Sequence, residues 1–276
     1  IRDSLISYSP ARVAKGDNSS NVVERAIEYW NGDEGKRGIV TLCWHWCPAA
    51  RYDKSKSDPW GTFYTDKTKF NLARAMNGRD PDGYQMLLDD IDAIAVQLKR
   101  LQDADVPVLW RPLHEASGGW FWWGASGADA YLQLYKLMYD RLTNVHGLNN
   151  LIWVWNGQDA AWYPGDEYVD IIGEDIYPGK HVYTSQAARF IKALSYTDTR
   201  KLITLSENGC IPDPEQLVRD NIMWSYWCVW EGEFVLKAAG FNNYSEQYTE
   251  KNMLKKAYKS DTVITRKELP DLRNYP

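Results

Sequence analysis

An α/β fold, specifically a (β/α)8 TIM barrel, is predicted from three observations. Short β-branched or apolar runs alternate with longer helical patterns, the rhythm of parallel α/β architecture. Runs such as "IVTLCW" (39–44) and "NLIWVWN" (150–156) are apolar on both faces, as strands covered on both sides require. Residues able to do chemistry (His45, Glu115, Asn156, Tyr177 and Glu207) fall at or just past the carboxyl ends of different strands. A barrel builds its site from many strands at that one rim, whereas an open sheet binds at a single crevice. The sequence carries neither GxGxxG nor GxxxxGK[ST], which argues against a nucleotide fold.

The expected strands are Leu5 to Ser9, Ile39 to His45, Val108 to His114, Leu151 to Asn156, Ile171 to Tyr177, Leu202 to Glu207 and Tyr226 to Trp230. The clearest helix is Gly83 to Gln102, where Leu87, Ile91, Ile94, Leu98 and Leu101 recur three and four apart as one buried stripe. Others are expected at Val22 to Trp30, Ala128 to Val145, Ser185 to Leu194, Pro214 to Met223 and Glu246 to Lys259. These are seven strands, one fewer than a closed barrel needs.

With 276 residues, 44% of them hydrophobic, and no linker, repeat or low-complexity tract, residues 1–276 read as a single domain. A net charge of −5 gives no basic field for nucleic acid or an anionic membrane. No apolar run is long enough for a membrane span, and the first residues lack the layout of a secretion signal, so any signal is expected to precede this sequence. Cys43, Cys47, Cys210 and Cys228 lack paired CxxC spacing, which disfavours a zinc cluster and leaves disulfides open. The composition has 14 Trp and 18 Tyr against 6 Phe. Rings with polar edges suit wet, amphipathic partners such as sugars better than a dry core.

Glu115 in "RPLHEAS" and Glu207 in "LITLSENG" each end an otherwise apolar strand. A pair of carboxyl groups across a sugar-sized cleft, one ionised and one held protonated, is the equipment of glycoside hydrolysis. The competing reading of one strand-end Glu is a buried ion pair with arginine; two, both in aromatic-rich segments, favour the site. Aromatic walls around Glu115 would exclude water and favour its neutral, proton-donating form, while the same rings bind polysaccharide. Neither His45 nor His114 belongs to an HxxxH or HExxH pattern, so no metal and no cofactor is expected.

"RPLHE" followed by "WFWWG", then "GEDIY" and "LSENG", together resemble glycoside hydrolase family 26, whose best-known members are β-mannanases. The resemblance runs from about Ile39 to Trp230 and implies a (β/α)8 barrel and a retaining mechanism. It implies an acid/base after strand four, matched by Glu115, and a nucleophile after strand seven, matched by Glu207. These strands are third and sixth in this sequence, so the first strand is expected to be missing, with Ile1 lying between the family's first and second. His114 and His45 match the two histidines that contact sugar. Tyr177 matches the tyrosine that donates a hydrogen bond to the nucleophile. Asp175, two residues earlier, is expected on the same face as Tyr177, whereas Glu174 is expected to face away and be structural. Trp120 and Trp230 match substrate-stacking tryptophans, with Glu231 standing where the family commonly has a basic residue. Trp44, Trp46, Trp122, Trp123, Trp153, Trp155 and Trp162 are expected mostly to fill core.

The implied activity is a retaining endo-β-1,4-mannanase acting on β-mannan or manno-oligosaccharides. The expected enzyme is a monomer that is secreted, periplasmic or attached to a cell surface, since a polymer does not readily enter a cell. Mixed-linkage β-glucanase and β-1,3-xylanase are nearer alternatives within the family. A non-catalytic sugar-binding protein on the same scaffold and a metal-dependent hydrolase are alternatives of other classes.

Overall fold

The computed structural model describes residues 2–32, 37–54, 61–237 and 243–272. The chain forms two compact units, Ile1–Asp170 and Ile171–Pro276.

The first unit holds four parallel strands in chain order, β1 (Arg2–Ser4), β2 (Val40–Cys43), β3 (Val108–Arg111) and β4 (Leu151–Trp155). Between them run α1 (Pro10–Ala14), α2 (Val22–Asn31), α3 (Leu72–Met76), α4 (Pro81–Asp103) and α5 (Ala128–Asp140). The register places Ser4 beside Cys43 and Cys43 beside Arg111, so one end of the sheet presents the residues that follow each strand. All residues of β2 and β3 are buried, including Thr41 and Arg111, as strands covered on both faces require.

Helix α4 follows from its sequence at every level. Pro81 occupies its first turn, and the Asp80 side chain caps it by accepting from Gly83 N at 2.9 Å. Leu87, Ile91, Ile94, Leu98 and Leu101 are all essentially inaccessible. Each contributes roughly 1.5–3 kcal/mol of burial free energy. The helix ends where Asp105 turns left-handed and Val106 N bonds back to Leu101 O.

The second unit holds β5 (Ile171–Ile176), β6 (Leu202–Asn208) and β7 (Trp227–Val229), again parallel and in chain order, with α6 (Ala187–Leu194), α7 (Pro214–Asp220) and α8 (Lys251–Tyr258). Register shifts between Glu174 and Asp175, and between Leu205 and Asn208, bend the sheet where the polar residues begin.

Three expected elements are displaced. Leu5 to Ser9 is not a strand: pairing with Cys43 ends at Leu5, and Tyr8 N and Ser9 N bond back to Leu5 and Ile6 as a tight turn feeding Pro10. Helix α7 stops at Asp220 because Asn221 adopts φ 53°, the left-handed stop that asparagine tolerates. Helix α8 starts at Lys251 rather than Glu246. The preceding groups are engaged elsewhere: Tyr248 O accepts from His181 N, and Thr249 Oγ1 accepts from Ile211 N.

Among the described residues no disulfide joins the four cysteines, and Cys43, Cys47 and Cys210 are buried. No helix among the described residues is long and apolar enough to cross a membrane.

Candidate active site

Each unit carries one of the two glutamates. In the first, β3 ends at Arg111, and the following turn places two non-glycine residues at positive φ, Leu113 (52°) and Glu115 (53°), on either side of His114. Left-handed backbone costs such residues on the order of 1–3 kcal/mol each and persists only where the surroundings impose it. Here Glu115 N donates to Asn156 O at 2.7 Å, Trp123 Nε1 donates to His114 O at 2.8 Å, and Arg111 Nη1 donates to Asn156 Oδ1 at 2.8 Å. Asn156 thus holds both ends of the turn. The Glu115 side chain is half-buried and accepts from Trp120 Nε1 at 2.9 Å, and the Trp120 ring is 48% exposed. An indole anchored by its edge beside the carboxyl, with its ring open to solvent, is placed to receive a sugar.

His114 is buried and meets the half-buried His45 edge to face, the ring centroids 4.8 Å apart. Ser4 Oγ lies 2.9 Å from His45 Nδ1. This half therefore brings together His45, His114, Glu115 and Trp120. It adds residues that sequence reasoning missed. Phe63 and Phe121 pack against His45, and Tyr64 stacks on Phe121 while staying exposed. Thr65 N and Oγ1 bond the carbonyls of Trp120 and Gly119, both at 2.8 Å, tying the two loops together.

In the second unit, Glu207 is 3% exposed on β6 and accepts from Tyr177 Oη at 2.6 Å. Asp175 is buried and accepts from Ser206 Oγ at 2.9 Å. Gly209 allows Tyr177 and Phe234 to close over this turn, since a Cβ there would lie 3.2 Å from Phe234 and 3.3 Å from Tyr177. Glu174 is structural, as expected from its parity. It is fully buried, bonded by the Arg189 guanidinium and by Tyr196 Oη at 2.8 Å.

Trp230 is half-buried, and its backbone N–H donates to Asn208 O, next to Glu207. Trp227 and Val229 line a cavity of about 250 Å³ with Leu254 and Tyr258 of α8. Trp227 is therefore turned toward that cavity. Trp44, Trp46, Trp122, Trp123, Trp153 and Trp155 are buried and Trp162 is half-buried, so these rings do mostly fill core.

The sequence profile described as Glycosyl hydrolase family 26 matches residues 3–268. The mannan endo-1,4-beta-mannosidase of Thermothelomyces thermophilus is 44% identical over 266 residues, which make up 96% of this chain and 52% of that protein. Among solved structures, the GH26-CBM35 beta-(1,4)-mannanase of Podospora anserina superposes with a TM-score of 0.85 at 40% identity, covering 97% of this chain and 57% of its own. The beta-mannanase from a symbiotic protist of the termite Reticulitermes speratus, complexed with gluco-manno-oligosaccharide, gives a TM-score of 0.83 at 32% identity, covering 98% of this chain and 80% of its own. Such neighbours are (β/α)8 barrels, and this chain has their fold. It spans about half the length of the Thermothelomyces relative.

Proposed function

The chain belongs to glycosyl hydrolase family 26, and from that membership we propose that it is a retaining endo-β-1,4-mannanase. On this reading residues 1–276 act as one catalytic domain with Glu115 and Glu207 as its two reacting carboxyl groups. The observation that carries the reading is the contrast between the two carboxyl settings. Glu207 is buried under a phenol donor, which suits an anionic nucleophile. Glu115 is half-buried beside an exposed indole, which leaves its carboxyl within reach of a glycosidic oxygen at a sugar-binding surface.

Glu207 attacks the anomeric carbon while Glu115 gives its proton to the departing glycosidic oxygen, leaving a glycosyl ester on Glu207. Glu115, now a carboxylate, removes a proton from water, whose oxygen displaces Glu207 and returns the anomeric configuration to β. His45, His114, Trp120, Asp175, Tyr177 and Trp230 bind and orient the sugar or the carboxylates. The chemistry requires neither metal nor cofactor. The substrate is β-mannan or its oligosaccharides, a choice supported by the mannanase relatives. A polymeric substrate places the enzyme outside the cytoplasm, secreted, periplasmic or held at a cell surface, where it works as a monomer.

Product analysis on mannohexaose, with anomeric configuration followed by NMR, tests the reading. Internal cleavage with the β-anomer appearing first is expected. The α-anomer first, or cleavage confined to lichenan or β-1,3-xylan, would reject it. Tyr177→Phe removes a hydrogen bond to a charged group, of the order of 1.5–3 kcal/mol. It is expected to lower kcat/KM on mannohexaose about 10- to 100-fold, and a change under threefold would separate the phenol from the reaction.

A further inference from the structure

Asp90 lies on α4 three residues after Leu87 and four before Ile94, on the stripe the helix otherwise fills with aliphatic side chains, and it is 4% exposed. Among the described residues its side chain takes one hydrogen bond, from Trp46 Nε1 at 2.6 Å. A leucine in the same place would add apolar burial and avoid desolvating a carboxyl group. The acid is explained by what Trp46 holds.

Trp46 follows His45 in the chain. Its ring stacks on Trp44 at 4.3 Å, and Trp44 Nε1 is fixed by Ser9 Oγ at 2.9 Å, so both chain neighbours of His45 are clamped. The Trp46 carbonyl accepts from Trp122 Nε1 at 2.6 Å. Trp122 in turn follows Phe121, which packs on His45 and His114, and Trp120, which bonds Glu115. One buried acceptor thereby fixes the indole of the residue whose carbonyl joins the segment carrying His45 to the segment carrying Trp120.

We infer that Asp90 is a positioning residue of the Glu115 half-site: its carboxyl oxygen anchors Trp46, and through Trp46 it fixes the His45 and Trp120 segments against each other. The inference rests on the glycosidase reading above for its kinetic effect, but not for the anchor itself. Asp90→Asn keeps an acceptor oxygen, whereas Asp90→Leu removes it at similar volume.

On mannohexaose, kcat per folded site is expected to fall about tenfold or more in Asp90→Leu, with KM within threefold, and to stay within threefold of wild type in Asp90→Asn. Trp46→Phe, which deletes the donor and keeps a ring in the stack, is expected to match Asp90→Leu and serves if that variant does not fold. The Trp46 indole N–H and the His45 ring resonances in NMR are expected to move in Asp90→Leu and to hold in Asp90→Asn. A kcat per folded site within twofold of wild type in both Asp90→Leu and Trp46→Phe would overturn the inference, because a residue that only stabilises lowers the folded fraction and leaves folded sites unchanged. If wild type cleaves no β-glycan, the glycosidase reading fails. The His45 resonances then decide for the anchor, and their remaining unmoved in Asp90→Leu overturns it.

Discussion

Glu207→Ala is expected to lower kcat on mannohexaose by roughly 10⁴-fold or more while leaving oligosaccharide affinity within about tenfold of wild type. In the proposed mechanism the side chain makes the covalent bond to the sugar, so its loss would remove the low-barrier route and leave only the residual effect of binding. The aromatic and polar groups proposed to hold the sugar stay in place, and calorimetric titration with mannohexaose reports them separately from turnover. Alanine also vacates the volume of a carboxylate. Azide, small and anionic, is expected to fill it and attack the anomeric carbon directly, restoring turnover and yielding an α-mannosyl azide that nothing then displaces. Wild-type turnover in the variant would remove Glu207 from the chemistry. Failure of azide to restore any activity in a folded, sugar-binding variant would argue that the carboxylate acts other than as nucleophile.

Asp90→Asn is expected to change how stability depends on pH. Burial pushes the Asp90 carboxyl from its ordinary value of 3.8 up to about 7, with the Trp46 indole pulling it down and Asp89 adding to the rise. Between those values the folded chain holds a proton that the unfolded chain has released, so this group's contribution is complete below about pH 4 and is lost as pH rises toward 7. Across the full window the loss is on the order of 4 kcal/mol. The asparagine variant has no proton to lose. Its unfolding free energy relative to wild type should therefore increase by several kcal/mol from pH 4.5 to 8, read from urea titrations at each pH. Asp92, held below the ordinary carboxylate range by Arg141 and His146, acts in the opposite direction but is common to both proteins and cancels in the difference. A difference that does not vary with pH would show that Asp90 titrates normally.

Much of this was legible in the sequence because local pattern and tertiary demand agree. The α4 stripe is buried residue for residue, and six of the seven expected strands overlap observed ones, since apolar runs covered on both faces have few alternatives. Glu115, Glu207 and Tyr177 stood out because ionisable groups ending apolar strands have nowhere to go but a strand-end surface. What was missed depends on distant partners. The strand expected at Leu5 is cut short by its turn into Pro10, and the start of α8 yields to bonds with residues far back in the chain. Phe63, Tyr64 and Phe121 become a group only through the antiparallel bridge between Tyr64 and Phe121. For Asp90 the signal was present, an acid on the apolar face of the most regular helix, but its meaning required Trp46.

The absence of a disulfide among the described residues bears on how the chain can be made. With no sulfur–sulfur bond among the described residues, their fold requires no oxidising compartment and no isomerase to sort alternatives. Synthesis in a reducing cytosol and treatment with dithiothreitol both leave the covalent structure as it is. The durability of this part of the chain is then set by packing and hydrogen bonds, and efforts to harden it can add cross-links where the described residues have none.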